Sequence, residues 1–330
     1  MGRRGHTLWK ENGEMSDSLS RRSFISLAGG TAVALAGLGL VGCGGSSSSD
    51  TSSDSSASSD SSAKALSGTV NCSGATSFQP LVEAAAKKFE DENPDVTIAI
   101  TGGGSGQGLS DVRDGKAQIG RSDVFAEEKL DAFDVAALND NTVCVVGMGP
   151  IVNSNVDVDD LTTDQLKGIF TGQITDWSEV GGTAGKIQVI ERKAGSGTRA
   201  TFEAAVLGGE SAPADFAPVA EEDSSGTVVE KIQQTEGAIS YLAFSYFDDT
   251  KFKALKVDGV EAKAENVCNG SFKIWAYEHM YTKDADEVTQ AFIDYMMSDE
   301  VQGSMVEGQG FIPANDMKVK KDASGTITNA

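Results

Sequence analysis

Thr69-Val70-Asn71-Cys72-Ser73, then Gly74-Ala75-Thr76-Ser77-Phe78, then Pro80-Leu81-Val82-Glu83-Ala84-Ala85-Ala86-Lys87-Lys88-Phe89 is the stretch that decides the fold. Its first five residues read as a strand and the next five as a loop of small and hydroxylated side chains. Pro80 then opens a helix whose apolar residues recur at three- and four-residue steps. Asn93-Pro94 stops that helix, and Val96–Thr101 reads as the next strand. Gly102–Gly108 leads into a second helix through Leu109 and Val112, ending near Gly115, and Ala117–Gly120 reads as a third short strand. Such alternation predicts an α/β fold with a mainly parallel sheet flanked by helices.

The pattern continues toward the C-terminus with a change of texture. Val143–Met148 reads as a buried strand, Thr162–Phe170 as a short helix and Ile187–Glu191 as a strand. Thr198–Leu207 and Val228–Gln234 read as helices, Ala238–Leu242 and Phe272–Tyr281 as strands, and Ala285–Met297 as a helix with Val288, Phe292, Ile293 and Met296 on one face. Two α/β lobes with the chain crossing between them fit this order.

Three strand-to-helix junctions share one composition: Ser73–Phe78, Gly102–Gly108 and Arg192-Lys193-Ala194-Gly195-Ser196-Gly197-Thr198. Each sits at the carboxyl end of a strand, where open α/β sheets bind ligands. Helix N-termini leave about four N–H groups unpaired, glycine lets a ligand approach the backbone, and hydroxyls add donors without bulk. Taken singly, each loop is an ordinary helix cap. Three together predict a donor-rich cage for a small oxyanion.

Other chemistries lack their residues. With 27 basic against 49 acidic side chains the formal charge is −22, the wrong sign for a nucleic-acid partner. GxxxxGK[ST] and GxSxG are absent, and the glycines at 102, 103, 104, 106 and 108 never complete GxGxxG. The chain has two histidines, His6 and His279, so neither a multi-histidine metal site nor a serine triad is expected. No metal and no cofactor are implied.

The first 65 residues read as an address and a tether. Arg21-Arg22 precede an apolar run from Phe24 to Val41 that ends in Leu40-Val41-Gly42-Cys43-Gly44. Paired arginines point to the Tat route, and the ending resembles a bacterial lipobox. Residues 1–42 are thus expected to be an export signal and Cys43 the lipidated residue of a membrane anchor. Four glycines in the run weigh against a transmembrane helix. Residues 43–65, almost all Ser, Asp, Gly and Ala, are expected to be a disordered linker spanning ~25 Å. Removing the five basic and three acidic residues of the leader takes the mature chain to −24. Cys72, Cys144 and Cys268 remain, an odd number that allows at most one internal disulfide and fixes none.

At the three loops the chain resembles the phosphate-binding proteins of bacterial high-affinity phosphate ABC transporters. The resemblance is carried by Ser73–Phe78, Gly102–Leu109, Ile119–Asp123, Leu166–Trp177, Arg192–Thr198 and Gly237–Leu242, in family order over nearly all of 68–315. It implies a two-lobed, type II-like periplasmic-binding-protein fold with two interlobe crossovers. Residues 66–145 plus 271–330 would form lobe I and 146–270 lobe II. Thr76, Ser77 and Phe78 would then offer hydroxyls and a backbone N–H, Ser105 a hydroxyl, and Arg192 its guanidinium. Ser196, Gly197 and Thr198 would cap the anion from the opposite lobe, and Asp123 matches the family's acidic selector. The sequence departs from the family at Ala194, where some relatives carry an aspartate that braces the arginine. Arg121 and Arg199 are nearby cations that could contribute to the anion site, with surface charges or helix-face partners the favoured reading.

The resemblance further implies a non-enzymatic, monomeric, extracytoplasmic receptor for inorganic phosphate that serves an ABC permease. Alternatives are a binding protein for sulfate, molybdate or tungstate, and a phosphate-sensing or adhesive surface protein. An exported phosphatase would need a nucleophile with its base, or metals.

Overall fold

The strand–loop–helix unit predicted at 69–89 forms, and related units lie on both sides of one long central strand. The computed structural model describes residues 65–330; the expected signal, Cys43 and nearly all of the linker lie outside them. Strands β1 (Gly68–Gly74), β2 (Val96–Gly103) and β3 (Ile119–Ser122) alternate with helices α1 (Gln79–Glu92) and α2 (Ser105–Arg113). Helix α3 (Ala132–Val135) leads to β4 (Asn139–Val152), followed by β5 (Asp160–Leu161), α4 (Thr163–Phe170) and β6 (Gln188–Arg192). Next come α5 (Gly197–Phe202), β7 (Ala220–Glu222), α6 (Ser225–Gln234), β8 (Ala238–Ala243), β9 (Lys253–Ala254) and β10 (Lys256–Val257). The chain closes with α7 (Ala264–Cys268), β11 (Trp275–Thr282), α8 (Glu287–Met296), α9 (Val306–Gly308) and a hairpin of β12 (Val319–Lys321) and β13 (Ile327–Asn329).

The main sheet runs β2-β1-β3-β11-β4-β8-β6-β7, with β9 beside β4. Both flanks are parallel, as the alternation predicts: β1 with β2 and β3, and β6 with β7 and β8. The centre is antiparallel, because β11 runs against β3 and β4, and β4 against β8 and β9. Strand β4 is 14 residues long. Its residues Asn139–Gly147 face β11, while Met148–Val152 face β8. Every residue from Val143 to Val152 is buried, the mark of a strand covered on both faces. The strand exceeds its sequence reading at both ends: the polar start, Asn139–Thr142, carries no apolar signal, and in the buried end, Gly149–Val152, Gly149 and Pro150 interrupt the apolar run. Strand β3 likewise lies two residues later than read, since it includes the buried polar residues Arg121 and Ser122.

Helices pack by the faces their periodicity gives them. Helix α1 buries Leu81, Val82, Ala85, Ala86 and Phe89. The Phe89 ring meets Phe292 at 5.3 Å and Tyr295 at 5.4 Å on α8, and Asn93 closes the helix by donating from Nδ2 to Phe89 O at 2.9 Å. Helix α2 lies against the sheet through Gly108, where a Cβ would come 2.6 Å from Arg121 O and 2.9 Å from Gly74 Cα. The helix read over 198–207 is α-helical to Phe202 and a π turn from Glu203 to Leu207. Phe202 stacks on Tyr241 at 4.2 Å and meets Phe170 at 4.7 Å, joining α5, β8 and α4. Cys72, Cys144 and Cys268 are all free thiols, with no disulfide among the described residues.

Candidate oxyanion site

The three glycine-serine loops meet. Gly104 N donates to Gly74 O at 3.1 Å, and Gly106 N to Gly195 O at 3.0 Å, so the second loop touches both others. They deliver the first residues of α1, α2 and α5 to one place. The N–H groups of Ser77, Phe78, Gly197 and Thr198 meet no protein acceptor among the described residues, as the geometry of helix starts dictates. The Phe78 ring is buried against Phe311 at 5.9 Å and anchors the loop, leaving its backbone to face the site.

Asp123 follows β3 and is 4% exposed. Its carboxylate and its backbone N–H together touch all three loops. Ser77 Oγ donates to Oδ1, Thr198 Oγ1 donates to Oδ2 at 3.0 Å, and the Asp123 N–H donates to Ser105 Oγ at 2.9 Å. Gly197 makes this closeness possible: a Cβ there would collide with Ser105 Oγ and lie 2.9 Å from Asp123 Cβ. Ser196 caps α5 by accepting from Arg199 N at 3.2 Å, which leaves its hydroxyl hydrogen to donate into the site.

Arg192 ends β6 at 1% exposure. Its Nη2 donates to Thr76 Oγ1 at 3.2 Å and to Asp223 O at 3.1 Å, its Nε to Glu222 O at 3.2 Å, and its Nη1 to Ser225 Oγ at 3.3 Å. The two backbone carbonyls take the part of the aspartate missing at position 194. Burial pulls the guanidinium's pKa down, against the upward pull of Tyr241 and Asp123; an arginine remains charged there. Arg199 is a helix-face partner, as expected: it pairs with Glu203 at 2.8 Å and Glu221 at 3.3 Å and donates to Arg192 O at 2.7 Å. Arg121 is neither a surface charge nor a helix-face partner. It is wholly buried on β3, with Nη2 on Thr101 O at 2.5 Å and Nε and Nη1 without a partner among the described residues.

Some contributors escape the sequence reading. Ser225 opens α6; its N–H donates to Thr76 Oγ1 at 3.1 Å and its hydroxyl meets Arg192. The signal was present, since Ser224-Ser225-Gly226-Thr227 is a fourth glycine-serine loop between a strand and a helix. Tyr246 donates to Thr76 O at 2.7 Å and Ser245 to Ser77 O at 3.1 Å; nothing local in sequence marks these two.

Buried donors gathered at the strand ends of a mixed sheet, around one arginine and one carboxylate, define a substrate-binding protein of the periplasmic-binding-protein type. The profile of the PBP superfamily domain matches residues 54–300. The phosphate-binding protein PstS of Bacillus subtilis (strain 168) is 51% identical over 260 residues, 78% of this chain and 85% of that protein. A crystal structure described as a phosphate ABC transporter substrate-binding protein with bound phosphate, from Clostridium perfringens, superposes with a TM-score of 0.68 at 36% identity, covering 75% of this chain and all of that one. An ABC-type phosphate transport receptor from Vibrio cholerae superposes at 0.59 with 27% identity, over 74% of this chain and 99% of that one. The chain belongs to the PstS family of phosphate-binding proteins within the PBP superfamily.

Proposed function

We propose that the protein captures inorganic phosphate at Thr76, Ser77, Phe78, Ser105, Asp123, Arg192, Ser196, Gly197 and Thr198 and delivers it to an ABC permease. The observation that carries this reading is the buried Asp123 carboxylate at the meeting point of three donor-rich loops. A carboxylate repels a bare anion. It suits an anion that brings its own hydrogen, as hydrogen phosphate does and sulfate at neutral pH does not. An acceptor buried against an acceptor costs on the order of 1–3 kcal/mol, more when both are charged. A site built on one required hydrogen bond discriminates by about 10⁴-fold or more. Molybdate and tungstate, like sulfate, lack the proton.

Residues 66–145 with 271–330 act as one lobe and 146–270 as the other, with phosphate between them. Support comes from β4, whose pairing changes from β11 to β8 between Gly147 and Met148, and from site contacts that join the two segments, Arg192 to Thr76 and Thr198 to Asp123. Binding across both segments favours the closed form through differential affinity. The reading is completed by export, a lipid on Cys43, a tether over 43–65, a monomer, and capture without turnover. Calorimetric titration tests it: phosphate is expected to bind tightly at one site per chain and sulfate negligibly. Equal affinity for the two would remove the assignment.

A further inference from the structure

Glu278 lies beside the selector, on the strand that runs against β3. It sits on β11 opposite Cys144 of β4, next to a bulge: the register slips between Glu278, opposite Cys144, and His279, opposite Thr142. Bulges re-aim side chains and recur beside functional sites. The side chain is wholly buried, and neither oxygen finds a hydrogen-bond donor among the described residues. Register brings it to Asp123: His279 pairs with Ser122 where β11 runs against β3, so Glu278 comes beside Asp123, the residue that follows β3, and the Asp123 charge acts on it. The Ser77 hydrogen is committed to Asp123. The other groups near it are Arg121 on β3, Cys144 on β4 and Tyr246. None of them makes an ion pair with it among the described residues.

Two carboxyl groups buried side by side cannot both be ionised. Asp123 already receives two hydroxyl hydrogens, which stabilise its charge, whereas Glu278 receives none. Burial first, then the Asp123 charge, push the Glu278 pKa well above the ordinary carboxylate range. A carboxylate offers about four lone-pair positions. Ser77 and Thr198 fill two. We propose that Glu278 is a protonated, specificity-determining positioning residue that donates its hydrogen to a third position on Asp123, leaving one for a single ligand hydrogen. The structural cost of an orphaned acid is thereby removed, and the selector is fixed in direction and in capacity. The inference rests on the reading of Asp123 as acceptor of the phosphate hydrogen.

Infrared difference spectroscopy of wild-type protein against Glu278→Gln, both free of phosphate at neutral pH, tests the proton directly. A protonated-carboxyl C=O band is expected in the wild type, absent from E278Q, and shifted when phosphate is added. No such band, a band that survives in E278Q, or a band that does not shift in protein that titration shows to be saturated with phosphate would overturn the proposal. Titration supplies the second arm. E278Q keeps a donor and should bind phosphate within about twofold of wild type, whereas Glu278→Met fills the space without one and should bind roughly tenfold more weakly. Wild-type affinity in E278M would overturn the proposal. Should E278M fail to fold, the E278Q spectrum still decides. A wild type that shows the band yet binds no phosphate would refute the phosphate reading and leave the Glu278 proton established.

Discussion

Asp123 shows how much chemistry one position concentrates. Its aspartate identity and its place after β3 were legible from the Ile119–Asp123 stretch, but its convergence with Ser77, Ser105 and Thr198 is a product of folding. Ser77 and Thr198 are 121 positions apart, and no local pattern relates them. Asp123→Asn keeps the shape and gives the side chain an amide donor. The account predicts that this variant loses discrimination: phosphate weakens, sulfate binding becomes measurable, and the ratio of the two affinities falls by about tenfold or more. An unchanged ratio by titration would take the selector role away from Asp123. The brace of Arg192 shows the opposite limit. At Ala194 the sequence lacks the bracing aspartate of some relatives, yet the Glu222 and Asp223 carbonyls hold Arg192, and backbone carbonyls leave no mark in a sequence.

Elements were legible where apolar periodicity was strong and obscured where polar residues are buried. Helix α1 announced itself through Pro80 and its apolar spacing. The reading of β4 covers Val143–Met148 and omits both its polar start and its buried end, Gly149–Val152, where Gly149 and Pro150 interrupt the apolar run. The antiparallel centre of the sheet is not legible either, because alternation reports local order and not which strands become neighbours. The terminal hairpin β12–β13 went unread for the same reason: its strands are three residues each and polar. That hairpin carries a titration worth measuring. Lys321 donates to Trp275 O and lies over the Trp275 ring at 4.3 Å. Burial pulls its ammonium down to about 8, only partly offset by Glu128. The folded state therefore holds this proton more weakly than the unfolded one, whose lysine keeps the ordinary value of 10.5. Between those values the unfolded chain binds more protons, so this residue's contribution to stability rises with pH. In denaturant melts, Lys321→Met should show an advantage over wild type below pH 8 that shrinks as pH climbs toward 10.5. A gap that stays constant or widens would contradict the assignment.

At the scale of the molecule, the charge of −22 and an anionic ligand are compatible. At physiological salt the Debye length is about 8 Å, so distant carboxylates weigh little beside donors in contact. What matters is that segments far apart in sequence close on one point: Gly104 on Gly74, Gly106 on Gly195, Ser225 on Thr76. The sequence could name the loops and, by resemblance, their purpose; only the topology brings them together. Arsenate is the probe that tests this convergence most directly, since it is tetrahedral, keeps a proton at neutral pH and scatters anomalously. Crystals grown with arsenate in place of phosphate should show one strong arsenic peak within hydrogen-bonding reach, by its oxygens, of Asp123, Arg192 and the Gly197 and Thr198 amides. A peak elsewhere, or no peak in protein that titration shows to be saturated, would contradict the account.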